Sequence, residues 1–153
     1  MLTRSDSLDI RFRGTRSFAG LMELYENNYI YMRRLMPERE SIGEEAVSSP
    51  DGGVDLHLRV MECCPYTTTL SLTHLFDDGS VTAPDLFVRV YHDARVAEVL
   101  PDSPLHHFRL WNADEQPDPR SLTWRWEVNR FLNRWLRYCL GEGHHFGVES
   151  YAR

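Results

Sequence analysis

Between Ser17 and Pro37 the apolar residues return every three or four positions: Phe18, Leu21, Met22, Tyr25, Tyr29, Met32, Leu35 and Met36. That spacing predicts one amphipathic helix. Ser17 is suited to cap its first turn, and Pro37 forbids its continuation. Glu23 and Glu26 come early and Arg33 and Arg34 late, an order that suits the helix dipole. The polar stretch Glu38 to Gly53 closes with Ser-Ser-Pro-Asp-Gly-Gly and reads as a loop. From Val54 the period changes to two. Val54, Leu56, Leu58 and Val60 alternate with Asp55, His57, Arg59 and Met61, the pattern of a half-buried strand.

Three further strands are expected. A turn at Cys63-Cys64-Pro65 leads into Tyr66 to Phe76, with Leu58 opposite Leu70 and Leu56 opposite Leu72. After a turn at Asp77-Asp78-Gly79-Ser80 come Asp85 to His92 and Arg95 to Leu100, joined by a bend at Asp93-Ala94. That bend sets Val90 against Ala97 and Val88 against Val99 on the inner face. It sets Arg89 against Glu98 on the outer face, where opposite charges favour this register by up to ~1 kcal/mol. His106 to Trp111 is a candidate fifth strand, and Asn112 to Arg120 a loop. A last helix is expected from Ser121 to about Leu140, with Trp124, Val128, Phe131, Leu132, Trp135 and Cys139 as its buried stripe. Arg130, Arg134 and Arg137 project elsewhere, and Gly141 or Gly143 ends it. The fold class is therefore α+β: helix, antiparallel four- to five-stranded meander, helix, with both helices on one face of the sheet.

Composition narrows the chemistry. The chain of 153 residues fits one core, expected over 17–143, with a mobile tail over 1–16 and a short, loose tail over 144–153. There is no run of about 18 apolar residues to span a membrane and no secretory-type apolar stretch near Met1, so the expected location is the cytoplasm. Three cysteines, two of them adjacent, fit reduced thiols rather than a disulfide framework. A net charge of −6 argues against a duplex nucleic-acid binder. All 17 basic side chains are Arg, which removes every lysine-dependent chemistry, from phosphate-loop lysines to Schiff bases.

Several segments carry a family likeness: Tyr25-Glu26-Asn27-Asn28-Tyr29 with Leu35-Met36-Pro37, Tyr66-Thr67-Thr68, and Val88-Arg89-Val90-Tyr91-His92-Asp93-Ala94 with Val96-Ala97-Glu98-Val99. Asn129-Arg130-Phe131-Leu132 and Trp135-Leu136-Arg137-Tyr138-Cys139-Leu140 complete it. From about Phe18 to Gly143 the chain resembles the bacterial YqiB-like family, a domain of unknown function. The resemblance implies a relative with no assigned activity.

The outer sheet face is the most informative surface in the sequence. It should carry His57, Arg59, Thr69, Ser71, Thr73, Phe87, Arg89, Tyr91, Val96 and Glu98. Arg59, Arg89 and Tyr91 together offer stacking and anion binding, which suits a protein partner, a nucleotide or a single strand. The alternative is a solvated face with one ion pair, or a face covered by the loop after Leu100. His92, Asp93 and Glu98 form a titratable group suited to a small hydrolase or nucleotide-processing enzyme, provided that they share a pocket. The alternative is a turn in which Asp93 bonds its own backbone. His and Cys spacings do not match a zinc site, and no cofactor or metal is expected. A non-enzymatic binding or regulatory domain is the first functional expectation.

Overall fold

A computed structural model describes residues 14–37, 43–75, 85–104, 111 and 113–147. Helix α1 spans Phe18–Leu35 and helix α2 spans Leu122–Gly141. Between them run β1 (Glu45–Ser48), β2 (Asp55–Cys63), β3 (Thr67–Leu75), β4 (Asp85–Tyr91) and β5 (Val96–Val99). They form one five-stranded antiparallel sheet in the order β1-β2-β3-β4-β5. A short 3₁₀ turn, Ala113–Glu115, precedes α2.

Ser17 Oγ accepts from Gly20 N at 3.0 Å, and Ser121 Oγ accepts from Trp124 N at 3.1 Å, so both helices begin where the capping residues predicted. Space confines position 20 to glycine. A Cβ there would lie 1.9 Å from the Thr15 carbonyl oxygen, a backbone atom that already accepts from Ser17 N. Gly→Ala inside a helix ordinarily gains about 1 kcal/mol. Gly20→Ala is expected to reverse that sign and destabilise by about 1–2 kcal/mol, read from the urea midpoint at unchanged slope.

Both helices cover the same face of the sheet. Leu56, Leu58, Leu70, Leu72, Leu86, Val88, Val90, Ala97 and Val99 point inward against Tyr29, Met32, Leu35 and Met36 of the α1 side, and against Trp124, Val128, Leu132, Trp135 and Leu136 of α2. A smaller cluster of Leu21, Leu24, Tyr25 and Trp126 closes the space between the two helices. The helices run side by side in the same direction, since Arg16 pairs with Glu127 and Asn27 and Asn28 meet Asn133. The apolar arc of α1 is wider than one stripe, because the helix touches the sheet on one side and α2 on the other. Leu24 and Tyr31 are buried in it, whereas Phe18, expected inside, is 68% exposed at the first turn.

The expected register of β4 and β5 is the observed one: Val88 faces Val99, Arg89 faces Glu98 and Val90 faces Ala97. The β2–β3 expectation is corrected. Leu58 faces Leu72, Leu56 faces His74 and Val60 faces Leu70, a slip of two positions from the predicted pairing. Such a slip leaves every side chain on its own face, so alternation alone cannot detect it. An irregularity between Val60 and Glu62 puts an extra residue, Met61, into β2 and carries that strand on to Cys63 opposite Thr68.

The stretch read as loop contains β1, whose Ala46 pairs with Leu58 and packs on the core edge. Four residues are too few for a period to declare itself. The tail expected to be loose from His144 instead packs: His144 and Phe146 are buried, and Phe146 N donates to the Leu35 carbonyl at 2.7 Å. The turn at Asp77–Ser80 and most of the candidate strand His106–Trp111 lie outside the described residues, as do residues 1–13.

Candidate functional site

The six candidate residues fall into three separate settings. Alternation along β4 and β5 sends Arg89, Tyr91 and Glu98 to the outer face and Val88, Val90 and Ala97 inward. On the outer face Glu62, Thr69, Arg89 and Glu98 form one row across four strands. Arg89 Nε donates to Thr69 Oγ1 at 3.0 Å, and its guanidinium lies 4.0 Å from Glu62. The irregularity at Met61 is what sets Glu62 opposite Thr69 and so in line with Arg89. Tyr91 Oη donates to Glu98 Oε2 at 2.7 Å. Burial first, and then this bond to the carboxylate, push the Tyr91 phenol up from its ordinary value.

Tyr25 reaches the same carboxylate from α1. Its hydroxyl is buried, and burial first and then the Glu98 charge hold it well above the usual phenol range. Thr73 donates to Asp85 at 2.9 Å, and Arg59 stands exposed opposite Glu45. Thr69, Ser71 and Thr73 were expected on an open face. They do lie on it but are buried, because short side chains sit low among the longer residues of β2 and β4.

His92 lies on the other side of the sheet. Its Nε2 is 2.8 Å from Thr68 Oγ1, and Thr68 is a buried, inward-facing residue of β3. Asp93 is exposed and accepts from Ala94 N at 2.9 Å, the backbone-bonding turn that was the alternative reading. Glu98 is held by Tyr91 on the outer face. The shared pocket that an acid-base reading of His92, Asp93 and Glu98 requires is therefore not formed.

His92 does open onto a concavity, one that sequence reasoning missed. A partly open groove of about 300 Å³ lies between the end of α1 and the β4–β5 turn, lined by Tyr29, Met32, Arg33, Met36, Pro37, Val90, His92 and Arg95. Its floor is apolar, since Tyr29, Met32, Met36 and Val90 are all buried. Its rim carries two cations, exposed Arg33 and Arg95, beside half-buried His92. Arg33 Nη1 donates to Tyr29 Oη at 3.2 Å, which fixes that guanidinium over the groove.

Arg95 closes the turn with φ at +60°, the one non-glycine residue in the left-handed region among those described, and its N–H bonds the Tyr91 carbonyl at 2.8 Å. For a residue with a β-carbon that conformation costs about 1–2 kcal/mol, and glycine or asparagine is its usual occupant.

At the opposite end of the sheet His74 sits on the inner face in a buried aromatic nest. Trp135 Nε1 donates to His74 Nδ1 at 3.2 Å, and Cys139 Sγ lies 3.9 Å from Nε2. The His144 ring centroid is 5.6 Å away, with His144 Nδ1 2.9 Å from Ser48 Oγ. Burial pushes the Cys139 thiol up to about 12, so it stays protonated and is no nucleophile near neutrality. Cys63 and Cys64 lie at the far end of β2 and in the hairpin after it. No helix among the described residues is long and apolar enough to cross a membrane.

These observations define an α+β domain in which two parallel helices cover one face of an antiparallel meander and a cationic groove opens at one end. The chain belongs to the family described as "Protein of unknown function (DUF1249)", whose model matches residues 31–145. It is 33% identical over 132 residues to "Uncharacterized protein YqiB" of Escherichia coli K12, an alignment covering 86% of this chain and 94% of that protein. The same figures hold for the protein of that name in Escherichia coli O157:H7. The resemblance drawn from the sequence motifs is thus borne out. No solved structure matches the chain.

Proposed function

We propose that this protein is a non-enzymatic binding domain whose ligand site is the groove between α1 and the β4–β5 turn. The observation that carries this reading is the composition of that groove: two arginines and a histidine around core residues of α1 and β4. Concave sites with an apolar lining and a few convergent polar groups are the usual form of small-molecule sites. His92, Asp93 and Glu98 sit in three different settings, which supports binding over turnover by that group.

The outer sheet face is the second surface of this reading. Arg89 and Tyr91 are already fixed by their own hydrogen bonds, so a contact there costs little side-chain freedom.

A thermal-shift panel of nucleotides, nucleosides and organic acids on the full chain tests both surfaces. A ligand at 100 times its dissociation constant adds ~2.7 kcal/mol of stability and raises the Tm visibly. The expected result is a shift by at least one compound, which mass spectrometry then recovers unchanged. Conversion of the compound would make the protein an enzyme. Loss of the shift in Arg89→Ala/Tyr91→Ala, with the groove intact, would move the site to the sheet face.

A further inference from the structure

We infer that the groove takes an organic anion, a phosphate or carboxylate head on an apolar body, and that Arg95 is the residue kept to hold the head. The inference rests on the binding reading above and adds the ligand's class and its anchor.

Charge supplies the first part of the argument. The whole chain is acidic at −6, yet no carboxylate lines the groove among the described residues, whereas Arg33, Arg95 and His92 do. The groove also lies by the C-terminal end of α1, where the helix dipole is negative and by itself repels an anion. Two features counter it. The Leu35 carbonyl is taken by Phe146 N at 2.7 Å, and the last turn carries Arg33 and Arg34. The guanidinium of Arg33 in that last turn therefore offsets the negative helix end on the groove side.

The body of the ligand follows from the floor. Two methionines, Tyr29 and Val90 offer no buried polar atom to pair with except the Tyr29 hydroxyl, which already accepts from Arg33. These side chains are packed into the core, so the apolar surface they turn to the groove is small and suits a short group. At 300 Å³ the space suits a small aromatic or short aliphatic group rather than a polymer.

Arg95 supplies the independent observation. The last position of this turn demands a left-handed backbone, and glycine would fill it without strain. Arginine is present instead, an exposed residue that lines the groove. A residue that is unfavourable for the turn but chemically apt for the cavity beside it is the signature of a position held for binding at the expense of stability.

That trade-off makes an unusual prediction. Arg95→Gly should fold at least as well as the natural chain, with a Tm raised by roughly 1–4 °C, while losing affinity by roughly tenfold or more. The test is calorimetric titration of the full chain at constant ionic strength with phenyl phosphate, hexanoate, inorganic phosphate, phenol and hexanol. Phenyl phosphate or hexanoate should bind at least tenfold more tightly than its own uncharged counterpart, and phenyl phosphate more tightly than inorganic phosphate. Arg33→Gln, which leaves the turn untouched, should weaken the same compound.

Equal binding of phenol or hexanol would leave a ligand site but overturn the anion assignment. Full affinity in Arg95→Gly would overturn the anchor, and so would a lowered Tm. No saturable binding by any of the five compounds would overturn the inference, while a hit in the wider panel would still sustain the binding reading.

Discussion

Asn129→Leu is expected to lower the unfolding free energy by about 3 kcal/mol, more than any polar-to-apolar change of similar volume on the surface of α2. Asn129 is fully buried and does two jobs at once. Its Oδ1 accepts from Val99 N at 2.9 Å, and its Nδ2 donates to the Arg125 carbonyl at 2.8 Å within α2. β5 is an edge strand, and its Val99 amide points away from β4, because Arg89 with Glu98 and Phe87 with Leu100 are the bonded pairs.

Without Asn129 that amide would be buried with no acceptor, which costs the full desolvation of the group. Leucine has nearly the right volume, so a cavity would contribute little and the loss would report the hydrogen bonds. The neighbouring carboxamides cannot compensate. Asn28 donates to the Asn129 backbone carbonyl at 3.3 Å, and Asn133 is committed to Asn27 and Asn28 at 2.7 and 2.9 Å. Urea unfolding of the variant checks the figure. A loss below ~1 kcal/mol would mean that water or another group reaches Val99 N in its place.

The second large effect is acid lability, centred on His74 and His144. Burial, and then the neighbouring His144, hold the His74 pKa below its usual value, and Glu142 opposes this. Burial likewise lowers His144, against Asp55 and hydrogen bonds at Ser48 and Val54. The Trp135 indole donates to His74 Nδ1, which fits a neutral ring with its proton on Nε2, toward Cys139.

Both histidines bind protons more readily in the unfolded chain than in the folded one. Their contribution is therefore fully present above the unfolded value near 6.5 and is lost as the pH falls toward the depressed folded values. Each proton bound only by the unfolded chain steepens the loss by ~1.4 kcal/mol per pH unit, and two are available. Unfolding free energies measured between pH 7.5 and 5 should fall as the pH is lowered, with a slope of at most two protons from this pair. His74→Gln should remove part of that slope. The protection of Phe146 N against hydrogen exchange, relative to the free amide at the same pH, should fall in the same window, because His144 docks the segment that carries it. A flat profile over that range would contradict the neutral, buried state of the pair.

Some of this arrangement was legible along the chain, and the reason differs from place to place. The β4–β5 register was readable because two independent signals agree there: valines demand one face, and Arg89 and Glu98 pair on the other. The β2–β3 register was not, since a two-residue slip changes neither face nor polarity and only the extra residue at Met61 distinguishes the alternatives. Asn129 was visible as a polar residue beside a buried stripe. Its role needed the amide of Val99, which is thirty residues away and becomes a neighbour only when α2 crosses β5. Arg95 showed no signal at all, because a turn written His-Asp-Ala-Arg contains no glycine to betray a left-handed position.

Local rules account for what could be derived from the residues alone. Helix ends follow from hydroxyl caps and a proline, strand faces from period-two alternation, and the layer order from the need of two apolar rods and one apolar sheet to hide the same surface. The packing of distant segments decided the rest. A groove is the space left between the end of one helix and a turn about sixty residues further on, and its chemistry comes from side chains that share no pattern in sequence. Periodicity reports which way a residue faces, whereas a site depends on what lies opposite, and only three-dimensional closure supplies that partner.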